Sequence, residues 1–366
     1  MKRWAAVLMP AAVFQSVIVG GAYGTGREVA EFISRFGPWG GLGVVAFAGL
    51  GFGLVMAVSF ELARVQRSYD YRSFLRGLLG RGWVAYEVLF LCLLLIVLAV
   101  TGAAAGKVLA DTFGIASSVG TSLMLVVVVL LAYAGRRLVE LTLTAGAIIL
   151  TTTILCVTIA SFATASETIL ATFRTVESVP GWPRSAFVFM LYNSALIPVL
   201  LYAAAPLETR AQAIAAGFIA GAAGILPGLL FHLAFMSAYP EIVTEEIPTH
   251  WLLQRIGHPA LRVFYLCALC MTIIQTGVGV LHGVLERLDV AWRERRGRAL
   301  SPLQHSAVAA VAMLGSLGLA QVGIVDLVAR GYGSLAWGFL CVYTLPVLTL
   351  GVRRILRAPA RGAMSP

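Results

Sequence analysis

The stretch that most constrains this chain is residues 14–36, where an apolar segment is interrupted by glycines and then by charged residues. Four glycines fall within residues 20–26, and Arg27, Glu28 and Glu31 follow, of which Arg27 and Glu31 stand four apart and could pair with each other. Glycine is unfavourable inside a helix, so this pattern favours an interrupted helix over a regular one. Close packing through a GxxxG spacing is the alternative, but packing does not require ionisable residues directly after the glycines. Backbone freed at membrane depth is tolerated where it is buried in protein or lines a watery cavity.

Most of the chain is as apolar as this stretch. The 366 residues are 59% hydrophobic and 12% charged, with a mean hydropathy of +0.89. These values exclude a soluble globular protein and a nucleic-acid binder, despite the net charge of +10. Runs of roughly 20 apolar residues, the length that a helix needs to cross the hydrocarbon core, can be placed ten times. We therefore expect an all-α integral membrane protein with ten transmembrane helices, embedded in a lipid bilayer.

The basic residues predict the orientation of these helices, because Lys and Arg concentrate in short cytoplasmic loops. An even number of spans puts both termini on one side. If that side is the cytoplasm, all but eight of the 27 Lys and Arg residues lie in cytoplasmic elements. The sequence thus predicts a multi-pass protein of the cell's cytoplasmic (inner) membrane with both termini inside.

The second half of the chain begins like the first. An apolar run in residues 185–205 is broken near Asn193 and then by Pro198, which removes a backbone donor and disfavours helix before it. A glycine-faced span follows each break, at residues 40–63 and 211–235. Two halves of five spans insert with opposite orientation, and matching interrupted spans in such inverted repeats are typical of secondary-transporter binding sites.

This symmetry predicts the division of the chain. We expect a first inverted repeat at residues 1–165, an external linker at 166–183, a second inverted repeat at 184–356 and a cytoplasmic tail at 357–366.

Two segments also resemble a known family. Residues 20–28, GGAYGTGRE, are similar to the G-A-G-F-A-S-G-x-E motif of the YkvI-like bacterial membrane proteins. Residues 323–333, GIVDLVARGYG, are similar to the segment before the last helix of that family. The resemblance implies the LeuT fold of the amino acid–polyamine–organocation (APC) superfamily, in which helices 1 and 6 are discontinuous. Tyr23 and Thr25 are bulkier than the family's usual residues, so the resemblance does not extend to the substrate.

The predicted substrate site lies between the two breaks. Half-helix N-termini suit anionic groups, and carbonyl ends suit cations, so a substrate carboxylate could bind the N–H groups around Gly24. Polar and aromatic side chains at the second break could contact a small polar ligand and cover it. The residues that we expect to bind substrate are Gly21, Tyr23, Gly24, Thr25, Gly26, Glu28, Phe189, Tyr192, Asn193 and Ser194.

A coupling sodium ion has a predicted site beside the first break. In a LeuT-like arrangement, the ion would bind the carbonyls of Gly20 and Tyr23. Side-chain oxygens of Thr272, Gln275 and Thr276, which share one helix face at spacing i, i+3, i+4, would complete the site. The alternative is that these threonines bond back to their own helix carbonyls.

Glu28 and Lys107 are the candidate charge relay. Glu28 could neutralise a substrate amine or carry the coupling proton, since intramembrane acids mark such pathways; a salt bridge to Lys107 is the alternative. Lys107 could instead snorkel to the outer interface or place its ammonium in the cation site. Asp326 and Arg330, at i, i+4, are expected to form a structural or gating pair.

The sequence therefore predicts a secondary transporter rather than an enzyme. We expect a symporter for a small polar or amine-bearing organic solute, such as an amino acid or amine, that uses sodium or protons by alternating access. Five scattered histidines and the absence of phosphate-loop or hydrolase motifs predict no metal site and no organic cofactor. A non-transporting sensor with the same fold and a channel-like facilitator are the alternatives.

Overall fold

The structure, a computed structural model, describes residues 2–134 and 136–357, with the backbone alone at 2–3, 22 and 132–147. The described residues form helices joined by short connections and contain no strand. The helices are α1 (Lys2–Ile18), α2 (Gly21–Gly24), α3 (Arg27–Phe32), α4 (Gly37–Gln66), α5 (Tyr71–Leu79), α6 (Trp83–Phe113), α7 (Ser117–Ala134), α8 (Arg136–Thr175), α9 (Trp182–Ser194), α10 (Arg210–Phe235), α11 (Pro248–Ile256), α12 (Pro259–Arg296), α13 (Pro302–Ala320) and α14 (Ile324–Arg357).

Seven helical segments in the described residues are long and apolar enough to cross a membrane. They are Arg27–Gln66, Tyr71–Phe113, Ile148–Thr175, Arg210–Ala238, Pro259–Arg296, Pro302–Ala320 and Ile324–Arg357. The pair formed by α9 and the 3₁₀ helix Ile197–Ala204 counts as an eighth span despite its bend of 59°. Trp4–Ile18 and Ser117–Leu131 are shorter apolar helices. The chain is a multi-pass membrane protein by these criteria.

The helical path through the glycine-rich stretch is interrupted twice. α1 ends at Ile18, the single turn α2 follows, and α3 begins only at Arg27. Gly26 has a φ of 80°, and a Cβ there would lie 2.6 Å from Phe235 Cζ and from Thr249 Oγ1. Because L side chains rarely adopt this conformation and there is no space for one, glycine is required at this position.

The interruption in the second half of the chain follows α9. This helix ends at Ser194, and the chain resumes at Ile197 as a 3₁₀ helix with Pro198 in its first turn. Proline has no N–H, so it fits a first turn but cannot continue the hydrogen-bond ladder of α9. The polypeptide therefore changes direction directly beside Asn193.

Glycines let α4 and α10 approach to backbone contact. A Cβ at Gly221 would lie 2.6 Å from both the Gly49 carbonyl oxygen and the Gly53 nitrogen. The two helices are the glycine-faced spans of the two halves, and small residues at a helix crossing allow such close approach. The α4–α10 pair thus forms a tightly packed support next to the two interrupted helices.

The division of the chain at residue 165 stays a prediction. The segment 166–183, predicted as an external linker, is helical in part, because α8 continues to Thr175 after a change of direction at Ala165 (φ −142°, ψ 29°). Its residues beyond Ala165 are less apolar but include good helix formers such as Ala, Leu and Glu, so the helix extends past the apolar run. The predicted tail at 357–366 lies outside the described residues, apart from Arg357.

Buried ion pairs join α5, α6 and α12. Glu87, near the start of α6, accepts a hydrogen bond from Arg287 of α12 at 2.7 Å, and the Arg72 guanidinium of α5 lies 3.6 Å from its other oxygen. Asp70 caps α5 by accepting from the backbone N–H groups of Arg72 and Ser73. Removing one partner of such a pair leaves an unmatched buried charge, so these contacts hold α5, α6 and α12 together.

The glycine contact between α4 and α10 predicts a large effect of one methyl group. We expect Gly221→Ala to lower the free energy of unfolding by about 1–3 kcal/mol, since the added carbon meets backbone atoms that cannot rotate away. Thermal unfolding in detergent measures this. The control is Gly315→Ala on α13, where a Cβ meets no heavy atom within 4 Å. Equal melting temperatures for the two variants would contradict the proposed packing.

Candidate functional site

A buried hydrogen bond joins the segments beside the two breaks. The Tyr192 hydroxyl of α9 donates to Glu28 Oε2 of α3 at 2.6 Å. Glu28 is 6% exposed and Tyr192 is 4% exposed. Among the side chains that the structure describes, no Lys or Arg lies within ion-pair distance of Glu28. The first predicted site residue is therefore a buried acid with a hydroxyl partner rather than half of a salt bridge.

Aromatic rings surround this hydrogen bond. The Tyr192 ring stacks on Tyr332 with centroids 4.9 Å apart and lies 5.4 Å from Phe32 and 5.6 Å from Phe189. The faces of such rings attract cations, and a carboxylate among them can neutralise an ammonium group. We call Phe32, Phe189, Tyr192 and Tyr332 the aromatic cluster. Its chemistry suits a cationic group of a ligand or a proton on Glu28.

The backbone between the two halves of the first helix is bound by three residues of two other helices, α12 and α11. Gly21 N–H donates to Thr276 Oγ1 of α12 at 2.8 Å, and Tyr265 Oη donates to the Gly24 carbonyl at 3.2 Å. The N–H of Thr249, in α11, donates to the Thr25 carbonyl at 3.2 Å. These contacts supply partners for peptide groups that a continuous helix would have paired internally.

The residues predicted to hold a coupling ion belong to α2, to Gly20 before it and to α12, and they have different hydrogen-bond partners. A Cβ at Gly20 would lie 3.0 Å from Thr276 Oγ1, so these two residues are adjacent. The Thr272 hydroxyl bonds to carbonyls of its own helix, those of Ala268 and Leu269, which was the alternative reading. Gln275 is buried, and the Tyr23 carbonyl accepts from the Gly26 N–H at 2.9 Å. Coordination of an ion by this set stays a prediction.

The polar residues at the second break have different surroundings. Asn193 Nδ2 donates to the Phe189 carbonyl of its own helix at 3.0 Å. The Ser194 hydroxyl is buried and has no hydrogen-bond partner among the described residues. The Ala195 carbonyl, freed by the end of α9, accepts from Tyr86 Oη of α6 at 2.8 Å. Tyr86 was not predicted as a site residue, because nothing in the sequence around it relates it to this break.

Arg27 connects the loop before α11 to the start of α3 through hydrogen bonds. Its guanidinium pairs with Glu31 at 2.9 Å, as predicted, and also donates to the carbonyls of Val243 (2.9 Å) and Glu245 (2.7 Å). Arg27 is 1% exposed. The sequence predicted only the i, i+4 pair, because the two carbonyls lie more than 200 residues away along the chain.

Two further predictions concern charged residues away from the aromatic cluster. Lys107 does not pair with Glu28, and its ammonium does not occupy the predicted cation site. It lies 3.4 Å from both Asp111 and Glu246, half-buried near the end of α6. Asp326 and Arg330 form the expected pair at 3.2 Å, with both side chains exposed. A gating role for this pair stays a prediction.

A cavity of about 650 Å³ adjoins the aromatic cluster. Its wall includes Phe32, which packs on Tyr192, the hydroxyl partner of Glu28. The rest of the wall comes from the end of α3, the connection before α9, the start of α9 and α14. Among the described residues, no group of three His, Cys, Asp or Glu side chains could hold a metal ion.

The bond between Tyr192 and Glu28 predicts the effect of removing one oxygen. We expect Tyr192→Phe to lower the free energy of unfolding by about 1–3 kcal/mol, because a buried carboxyl group loses its hydrogen-bond partner. The control is Tyr202→Phe, whose ring is 55% exposed. Thermal unfolding in detergent measures this difference. Equal melting temperatures of the two variants would contradict a stabilising hydrogen bond between Tyr192 and Glu28.

The Arg27 contacts predict local opening when they are removed. In Arg27→Gln, we expect amide hydrogen exchange at residues 243–247 to rise about tenfold or more, since two hydrogen bonds from a charged donor are lost. Arg255→Gln is the control, because its pair with Glu241 belongs to the same loop but is exposed, and exposed pairs contribute little. Exchange rates equal to those of the wild type would show that Arg27 does not hold the loop.

The chain was compared with known families and structures. No family model matches it, and no curated protein sequence matches it. Two solved structures are similar: Mhp1 in its inward-facing conformation (TM-score 0.56, 13% identity, 92% of this chain and 76% of that chain) and a Na⁺-coupled sialic acid symporter in its substrate-bound outward-open state (TM-score 0.53, 11% identity, 95% and 87%). Both have the LeuT fold, and at these identities the likeness concerns the fold alone. The chain thus has the architecture of the LeuT-fold transporters.

Proposed function

We propose that this protein is a secondary active transporter that moves a small polar or amine-bearing organic solute by alternating access. The observation that carries the proposal is the buried bond between Glu28 and Tyr192, made where the two interrupted helices meet. Irregular backbone and an unpaired acid at membrane depth are costly to a fold, and secondary transporters keep such features at their binding sites.

In this proposal the first and sixth of ten spans are the discontinuous ones, and the two halves form a 5+5 inverted repeat. The seven long helices, the bent pair and the two shorter apolar helices supply that number of spans within the described residues. The similarity of residues 20–28 and 323–333 supports membership of the YkvI-like family. The distribution of Lys and Arg supports cytoplasmic termini.

Binding would exchange one partner of Glu28 for another. An ammonium group of the solute can take the place of the Tyr192 hydroxyl at Glu28 Oε2, with the rings of the aromatic cluster around it. A solute carboxylate would face the segment 20–26. Protonation of Glu28 is the alternative to binding an ammonium group. In this proposal Glu28 therefore serves either as the partner of the amine or as the proton carrier.

Coupling has two candidate sites in this proposal. The sodium site comprises Gly20, Tyr23, Thr272, Gln275 and Thr276, of which Gly20 and Thr276 are in contact. The proton site is Glu28. The similar symporter is Na⁺-coupled, which supports the sodium site. The proton site is supported by the hydroxyl partner of Glu28 and by the hydrogen bond that Thr276 already accepts from Gly21.

The test is transport by the purified protein in proteoliposomes. Counterflow of labelled amino acids and amines, with sodium or a pH gradient supplied separately, identifies the solute and the ion. We expect Glu28→Gln to lower the flux of the identified solute about tenfold or more, because the solute loses a charge-assisted hydrogen bond.

The control for this test is Glu177→Gln, an exposed acid on the connection before α9. The proposal fails if no candidate solute moves, or if Glu28→Gln leaves the flux unchanged. Ligand binding without flux would favour a sensor, and flux without saturation would favour a channel-like facilitator.

A further inference from the structure

A group of arginines surrounds one cavity, at the end of the bundle where α9 and α14 begin. Of the 27 Lys and Arg residues, all but eight belong to the predicted cytoplasmic elements. Three of these eight, Arg35, Arg184 and Arg330, line the cavity of about 650 Å³. Basic residues are usually sparse outside cytoplasmic loops, so three guanidinium groups around one cavity require a separate explanation.

The acids near the cavity do not cancel this charge. Glu31 is the only acid among the described residues that line it, and it pairs with Arg35. Arg330 pairs with Asp326 at 3.2 Å, and both side chains are exposed. Among the side chains that the structure describes, no carboxylate lies within ion-pair distance of Arg184. The wall therefore has an excess of positive charge, and the Arg184 guanidinium is available to an anion.

The charged and the apolar parts of the wall lie at different depths in the membrane. Along α9, the lining runs from Arg184 near its start to Val188 one turn further in. Along α14, it runs from Arg330 to Trp337. Seven helical residues rise about 10 Å, which exceeds the thickness of one lipid headgroup layer, about 5–8 Å. The guanidinium groups thus lie at the level of headgroups, and the apolar groups lie at the level of acyl chains.

An aromatic strip continues from the apolar end of the cavity. The Trp337 ring lies 6.0 Å from that of Phe187, which lies 6.4 Å from that of Phe47. Trp337 and Phe47 are exposed on the surface of the bundle. Aromatic side chains near the membrane surface are typical of contacts with lipid. A ligand that fills the cavity and continues along this strip has an anionic head and an apolar chain.

We propose that this cavity binds the headgroup of an anionic phospholipid, with the phosphate at the Arg184 guanidinium and the charges of Arg35 and Arg330 beside it. Guanidinium matches phosphate through parallel hydrogen bonds and loses its hydration more easily than ammonium does. Basic pockets between transmembrane helices recognise the headgroups of anionic lipids. A soluble anion would use the arginines alone, whereas a lipid also covers the apolar part of the wall.

The proposed lipid is a ligand of the bundle surface and not the transported solute. Arg35 follows α3 directly, Arg184 belongs to α9 and Arg330 belongs to α14. A phosphate among these arginines joins three helices that have no other charged contact through Arg184. A ligand that binds one arrangement of these helices more tightly raises its population, so the lipid favours the arrangement described here.

The experiment compares two lipids with the same chains and different headgroups. Dioleoylphosphatidylglycerol or dioleoylphosphatidylcholine is added, over a series of mole fractions, to the purified full-length protein in a neutral detergent. A ligand of the folded state raises the melting temperature, so the midpoint of the shift gives an apparent affinity. For the wild type, we expect phosphatidylglycerol to bind about tenfold or more tightly, because the arginines repel the choline cation. sn-Glycerol 3-phosphate, which has the phosphate but no chains, should give no comparable shift.

Substitutions at the cavity test the assignment to these arginines. In Arg184→Gln the preference for phosphatidylglycerol should disappear, and in Arg184→Lys part of it should remain, because lysine keeps the charge without the fork of donors. Arg330→Gln, a second exposed position, should weaken the preference. Arg174→Gln is the matched control, since Arg174 is an exposed arginine near the end of α8 that does not line the cavity. The lipid-free melting temperature of each variant reports whether it has folded.

Three results overturn the inference. The first is equal binding of the two lipids by the wild type. The second is an unchanged preference for phosphatidylglycerol in Arg184→Gln or, if that variant does not fold, in Arg330→Gln. The third is a shift with sn-glycerol 3-phosphate as large as that with the lipid, which would indicate a site for a soluble anion. None of them bears on the proposed function, whose test is the dependence of flux on Glu28.

Discussion

The fold depends on how the peptide groups of residues 20–26 are satisfied at membrane depth. Unpaired N–H and C=O groups cost several kcal/mol each in hydrocarbon, so an interrupted helix persists only if neighbours bind them. Here the neighbours are Thr276 and Tyr265 of α12 and the N–H of Thr249 in α11. Gly21 approaches α12 so closely that a Cβ would lie 2.5 Å from Ile273 Cα. The break is thus held by side-chain and backbone hydrogen bonds and by the close approach of Gly21 to the α12 backbone.

The position of the charged residues follows from this break. Because α3 begins at Arg27, a new helix points Glu28 towards α9 while Arg27 extends to the loop before α11. Two consecutive ionisable residues therefore have separate functions: one holds a loop, and the other reaches the second broken helix. The glycine contacts of α4 and α10 and the ion pairs around Glu87 form the rigid surroundings against which these parts could move.

Sequence reasoning was successful where the signal was local. The helix ends beside the glycines of residues 20–26 and beside Asn193, and the Arg27–Glu31 pair, rest on spacing or on backbone preference. The LeuT fold agrees with the implied resemblance and with the similar solved structures. These features are encoded within a few residues of one another.

The contacts that were not predicted have a common physical cause: each joins residues that are distant in sequence. Lys107 lies beside Glu246 rather than Glu28, and Tyr332 and Tyr86 reach the breaks from other helices. The helical part of segment 166–183 was not expected, because α8 extends past its apolar run.

The most direct measurement is an experimental structure of the protein bound to a solute that it has been shown to transport. The account predicts density for the solute between residues 20–26 and the aromatic cluster, with a polar group of the solute within hydrogen-bond distance of Glu28. Solute density elsewhere, with Glu28 still bound to Tyr192 and α1 continuous through Gly20 to Gly26, would contradict it.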